Sequence, residues 1–166
     1  MKGAVFFSSK YGSTAQYAQW IAQATSLPAY DIDETRVSLS EFDFLVLGSP
    51  VIYFKPILRR WVKRNLDDIL RRPSIFFSVS GAGPGPKLDG WLSDSLPAEF
   101  MSHVTHVALF GRQDRKELNR FDRTMLIIAG LLNRDRKAAK DEMHGFDLMD
   151  KNSIQPIVER IRELQA

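Results

Sequence analysis

The sequence predicts an α/β protein in which a parallel sheet is covered by helices on both faces, and three observations lead there. Compact apolar runs rich in β-formers recur at residues 4–7, 44–47, 75–79 and 103–110, without the polar alternation of a half-exposed strand. Between them, apolar residues return at the helical period. The polar and glycine-rich stretches, 8–14, 48–54, 78–86 and 111–114, all follow strands, which is where open parallel sheets bind ligands.

Taken in order, the first strand stops at Ser8 and Ser9, and after Lys10, Tyr11 and Gly12 the pair Ser13 and Thr14 opens a helix. Four hydroxyls, with the backbone N–H groups of a helix start, predict an anion cradle suited to phosphate. Ala18, Ile21, Ala22 and Thr25 set the first helix over 14–26, and Leu27–Pro28 ends it. A short strand at 29–32 precedes the polar stretch 33–40, and the strand at 44–47 is expected to end in Gly48, Ser49 and Pro50. Pro56 fits a first helical turn, so Leu58, Trp61, Val62, Leu66 and Ile69 predict one amphipathic helix reaching Leu70. Pro73 restarts the chain into the strand at 75–79, whose continuation is barred by the glycines and prolines of 80–86. A short helix over 88–96 with Trp91 and Leu92 inward, the strand at 103–110, a helix over 118–132, and a closing helix marked by Ile154, Ile157, Val158, Ile161 and Leu164 complete the reading.

One domain over 1–166 is expected, because 166 residues at 44% hydrophobic content suffice for a single well-buried core. Cysteine is absent, which excludes disulfides, thiolate metal sites and thiol nucleophiles. The first residues show no basic leader with a small-residue cleavage site, so a cytoplasmic location is the expectation. Charge is uneven: residues 111–140 hold nine Lys/Arg against four Asp/Glu, and a second cluster joins Lys55, Arg59, Arg60, Lys63, Arg64, Arg71 and Arg72. Such surfaces suit anionic partners, whether membrane headgroups, nucleic acid or a polycarboxylate substrate, or are plain solvated helix faces. The partner expected for the chain as a whole is a small-molecule substrate, and no nucleic acid is expected. The apolar run 124–132 is too short to span a bilayer of about 30 Å. With the arginines beside it, it allows peripheral membrane contact through the segment 112–140.

Several α/β chemistries are excluded by pattern. The first loop is neither GxGxxG nor a Gly-Lys-Ser/Thr phosphate loop, and no GxSxG occurs. The strand ends that would carry magnesium-binding carboxylates in a phospho-acceptor carry Ser8–Ser9 and Ser49–Pro50 instead. His103, His106 and His144 have no metal-ligand spacing; no metal site is expected, and structural roles are expected for the two that fall in a strand pattern, His103 and His106.

The segment SSKYGST resembles the FMN phosphate loop of flavodoxins. By position, the resemblance implies that Ser9, Lys10, Tyr11, Gly12, Ser13 and Thr14 wrap the phosphate. It implies that Ser49, Pro50, Val51 and Ile52 lie near the flavin with Tyr53 or Phe54 against its ring, and that Val79, Ser80, Gly81, Ala82 and Gly83 form the opposite wall. The implied fold is a flavodoxin-like three-layer α/β/α sandwich with a five-stranded parallel sheet, and the implied cofactor is FMN. Together with FFSVS at 76–80 and FDRTMLIIAGLL at 121–132, the loops most resemble flavodoxin-type protoporphyrinogen oxidases, which pass electrons to menaquinone. Porphyrinogen carboxylates would then meet Arg112, Arg115 and the arginines of 59–64, and the helix at 118–132 would approach a lipid quinone. No catalytic proton-transfer residue stands out. An electron-carrier flavodoxin that docks to redox proteins, or a flavin-free interaction domain, are the alternative functions.

Overall fold

The structure is a computed structural model that describes residues 1–113 and 146–166. Along the chain run β1 (Gly3–Phe7), α1 (Ser13–Thr25), β2 (Ala29–Asp31), β3 (Phe44–Ile52), the two-residue β4 (Lys55–Pro56), α2 (Arg59–Arg64) and α3 (Leu66–Leu70). They are followed by β5 (Ser74–Ser80), α4 (Pro86–Ser95), α5 (Ala98–His103), β6 (Thr105–Phe110) and a small pair, β7 (Arg112–Gln113) with β8 (Phe146–Asp147). Helix α6 (Gln155–Gln165) comes last. The expected helix at 118–132, and with it the proposed membrane-facing run, lies outside the described residues.

Among the described residues, five strands stand parallel in the order β2-β1-β3-β5-β6, and β4 adds an antiparallel pairing to the end of β3. The order reverses between β1 and β3, the position at which a doubly wound sheet opens a crevice. The fold class is therefore the α/β flavodoxin-like arrangement that the sequence predicts.

Alternation along the strands divides the core in two. Val5, Phe44, Val46, Ile75 and Phe77 meet Tyr17, Ala18 and Ile21 of α1 and Ile157, Val158 and Ile161 of α6. On the other face Ala4, Phe6, Leu45, Leu47 and Phe76 meet Leu58, Val62, Ile69, Leu88, Leu92 and Phe100, from α2 to α5 and the residue preceding α2. Burying each such side chain removes it from water at a gain of about 1.5–3 kcal/mol. Both faces being apolar is why these strands read as continuous hydrophobic runs. Gly48 permits close packing within the sheet, since a Cβ there would stand 2.2 Å from the Phe77 ring.

Three expectations are corrected. The helix expected from Pro56 to Leu70 is two helices that meet at Asn65, and Pro56 itself lies in β4. The side-chain amide of Asn65 donates to Trp61 O at 2.8 Å while its N–H is shared between Trp61 O and Val62 O, so a local side-chain bond accompanies the break in the helical ladder. Strand β3 does not stop at Gly48–Pro50 but continues to Ile52, because Pro50 O accepts from Ile57 N–H at 3.2 Å and Val51 and Ile52 pair with β4. His103 ends α5 instead of opening a strand, and its Nε2 meets Arg72 O at 2.6 Å.

Phe76 is fully buried and packs edge-on to Phe100 with ring centroids 5.4 Å apart. Phe76→Ala should lower the unfolding free energy by about 3–5 kcal/mol, read from urea denaturation with an unchanged m-value.

Candidate functional site

Because the five strands are parallel, the loops that leave their carboxyl ends gather along one edge. Ser8 N–H donates to Gly48 O at 3.0 Å, joining the ends of β1 and β3. Gly111 N–H donates to Ser80 O at 3.1 Å, joining the ends of β5 and β6. A Cβ on Gly111 would stand 3.1 Å from Val79 Cγ1 and 3.8 Å from Ser13 Oγ, so the loop after β6 also borders the start of α1.

The loop between β1 and α1 is set by Gly12, whose φ of 95° is the left-handed conformation that glycine adopts without a Cβ penalty. Ser9 Oγ accepts from Gly12 N–H at 3.3 Å and from Ala15 N–H at 3.4 Å, folding the loop back over the helix start. Lys10 Nζ lies over the ring of its neighbour Tyr11, 5.3 Å from the centroid. The two adjacent hydroxyls that the sequence offers as equivalent are not. Ser13 Oγ donates to Arg112 O at 3.1 Å and accepts from Arg112 N–H at 3.2 Å, so it ties α1 to β7. Thr14 Oγ1 is buried and has no hydrogen-bond partner among the described residues. An unpartnered buried hydroxyl costs about 1–3 kcal/mol. It sits in a helical turn whose first N–H groups have no carbonyl one turn back to receive them.

The turn between β3 and β4 is the most strained element of the site. Ile52 pairs with Lys55, leaving Tyr53 and Phe54 as a two-residue hairpin loop with φ of 51° and 65°. Positive φ at both positions is the requirement of a type I′ turn, which favours Asn-Gly; aromatic residues there cost about 1–2 kcal/mol each. The aromatic pair is not interchangeable. Phe54 is 60% exposed yet rests on Trp91 of α4, with centroids 4.9 Å apart, and Lys87 Nζ stands 5.5 Å above the Trp91 ring. Trp91, expected to point inward, is half-buried in this contact. Beneath the turn, Ser49 Oγ donates to Pro50 O at 2.9 Å and accepts from Leu58 N–H at 3.1 Å, so its hydroxyl holds the hairpin to the chain entering α2. Val51 packs on the second core and Pro50 is half-buried, which leaves the backbone of this stretch as what it presents to a ligand.

The third loop follows β5. The Val79 side chain belongs to the first core, whereas Gly81 and Ala82 are exposed. Ser80 Oγ, like Thr14 Oγ1, is buried without a partner among the described residues. Gly83 has φ of 65°, and a Cβ there would stand 2.2 Å from the Phe110 ring, so both its conformation and its close approach require glycine. Sequence reasoning did not single out Phe110, 38% exposed, or the pairing of Ser13 with Arg112, because the partners lie far apart in the chain.

Below this loop, Ser78 Oγ and His106 Nε2 are 2.8 Å apart across β5 and β6, and the imidazole stacks on Phe76. The structural role expected of His106 is this one. Desolvation holds its pKa below the usual 6.5, with the Asp89 carboxylate opposing. Among the described residues no group of three or more potential metal ligands occurs, and no helix is long and apolar enough to cross a membrane.

Two outcomes follow from this geometry. Tyr53→Asn combined with Phe54→Gly should relieve more strain than the lost Phe54–Trp91 contact costs, raising stability by about 1–2 kcal/mol in urea denaturation. For His106 the unfolded chain binds the proton more readily than the fold, so stability is full above about pH 6.5 and falls on acidification through the depressed native value. Thermal midpoints of the parent chain should therefore drop as the pH falls below about 6.5, and His106→Gln should flatten that slope.

A model of the flavodoxin domain family matches residues 4–141 of the chain. No curated protein matches it. Among solved structures, a flavodoxin from the domain Archaea is similar at 14% identity over 98% of this chain and 99% of its own, with a TM-score of 0.46. A flavodoxin, WrbA-like protein from Agrobacterium tumefaciens is similar at 15% identity over 64% of this chain and 74% of its own, with a TM-score of 0.48. A Fusobacterium nucleatum flavodoxin bound to flavin mononucleotide is similar at 11% identity over 69% of this chain and 72% of its own, with a TM-score of 0.44.

Proposed function

The chain belongs to the flavodoxin domain family, and on that premise we propose that it is an FMN-dependent oxidoreductase. The observation that carries the reading is Thr14 Oγ1, a buried hydroxyl without a partner among the described residues, in the first turn of a 13-residue helix beside the left-handed Gly12. A phosphate monoester suits this place: it accepts hydrogen bonds from the hydroxyl and the first-turn N–H groups and lies at the positive end of the helix dipole. The aromatic turn suits a flat ring: the pairing with β4 holds its backbone, and Phe54 rests on Trp91, before any ligand arrives. Ser9, Lys10, Tyr11, Gly12, Ser13 and Thr14 are the proposed phosphate loop. Ser49, Pro50, Val51, Ile52, Tyr53 and Phe54 are proposed for one side of the ring, and Val79, Ser80, Gly81, Ala82 and Gly83 for the other. Ser49, Val51 and Val79 would contribute through their backbone, since their side chains are committed to the hairpin and to the core.

A bound flavin supplies the electron-transfer chemistry, and the protein contributes position and electrostatics. The substrate of the proposal is protoporphyrinogen IX, with a quinone as acceptor. In favour of a carboxylate-bearing substrate stands the run Arg59, Arg60, Lys63 and Arg64 on α2, which follows directly on the aromatic hairpin. The quinone and the peripheral membrane contact rest on residues 114–140, outside the described part of the chain.

Denaturing release followed by chromatography should yield FMN in stoichiometric amount; absence of any flavin would overturn the cofactor assignment. The loaded protein should oxidise protoporphyrinogen with a menaquinone analogue. Loading without turnover would leave the carrier function and remove the enzymatic one. Thr14→Ala should weaken FMN binding about fivefold to fiftyfold, measured by flavin fluorescence on the refilled apoprotein.

A further inference from the structure

The clamp made by Ser13 has a product: it delivers a cation to the phosphate loop. With Arg112 held by its own N–H and carbonyl to Ser13 Oγ, the guanidinium reaches back over the loop, and its Nη2 lies 3.8 Å from where a Cβ of Gly12 would stand. The ion pairs among the described residues are Arg72–Asp68 and Arg160–Glu163, so no described carboxylate neutralises Arg112. Asp147 is its cross-strand partner on β8, yet the Asp147 carboxylate accepts from Met149 N–H at 3.1 Å. A guanidinium that no described carboxylate pairs, a left-handed glycine, a helix N-terminus and the buried Thr14 hydroxyl, without a partner among the described residues, thus stand together.

We propose that Arg112 is a phosphate ligand of this loop and makes the site select FMN over the uncharged riboflavin. The inference rests on the FMN reading above and adds a residue from the far end of the sheet to it. The guanidinium offers paired N–H donors to phosphate oxygens, and a charge-assisted contact beside a helix N-terminus adds to the dipole instead of replacing it. Glycine at position 12 is required by the positive φ of the turn that brings the loop into contact range of Arg112. Ser13 is then a positioning residue, acting on the phosphate through Arg112.

The test is titration of the full-chain apoprotein with FMN and with riboflavin, followed by flavin fluorescence at low and high salt. Arg112→Gln keeps the backbone bonds to Ser13 and should weaken FMN about tenfold to hundredfold while leaving riboflavin affinity unchanged. It should also flatten the salt dependence of FMN binding. Arg112→Lys should retain part of the selectivity, and Ser13→Ala should lose selectivity in the same direction with a smaller effect. Circular dichroism confirms that each variant is folded. FMN affinity unchanged in Arg112→Gln, or FMN and riboflavin weakened equally, overturns the assignment while the FMN reading stands. A parent protein that binds neither flavin overturns both.

Discussion

Burial of both faces of the sheet is the constraint on which the rest depends. Strands apolar on each side need cover on both faces; crossover helices supply it and keep the successive long strands parallel, while the two-residue β4 only extends the end of β3. Parallel strands in turn send every outgoing loop to the same edge. Val5 and Phe44 facing α1 and α6, with Phe6 and Leu45 facing α2 to α5, are thus the cause of the meeting of residues 9–14, 49–54 and 80–83. The site is a consequence of core composition before any of its own residues is considered.

Rigidity of that core allows strain at its edge. Tyr53 and Phe54 hold positive φ in a turn that small polar residues would form more cheaply, and the pairing of Val51 with Pro56 and of Ile52 with Lys55 keeps them there. Ser49 Oγ, bridging Pro50 O and Leu58 N–H, stiffens the same hairpin from below. A side chain that must meet a planar ligand gains from being fixed in advance, since less conformational freedom is lost on binding. The hydroxyls of Thr14 and Ser80, buried without a partner among the described residues, belong to the same pattern of local cost at this edge of the sheet.

What could be read from the sequence was what local pattern determines. The strands of the sheet were legible because apolar runs of β-formers, bounded by glycine, proline and serine, leave little else to form, and α1 and α6 were legible from the 3.6-residue period. The break at Asn65 was not, because it lies inside an amphipathic stripe that continues across it. Nor was β4, two residues long and containing a proline that reads equally well as a helix start. The loop between β1 and α1 was legible as a set of hydroxyls near a helix start, but not the division of labour within it. That division depends on Arg112, 99 positions from Ser13, and no local signal links the two.

The difference between Ser13 and Thr14 follows from helix geometry. Consecutive residues on an α-helix point about 100° apart. With Tyr17 and Ile21 fixing which stripe of α1 meets the sheet, neighbouring hydroxyls in its first turn must face different surroundings. Tyr17 OH donates to Phe110 O at 2.6 Å and accepts from Asp150 N–H at 3.2 Å, which sets the rotation of α1 against the end of β6 and the start of the last helical segment. That rotation directs Ser13 to β7, where it holds Arg112, and leaves Thr14 buried without a described partner. A tyrosine one turn into the helix therefore governs which hydroxyl holds Arg112 and which one stays buried without a described partner, the one proposed to meet the anion.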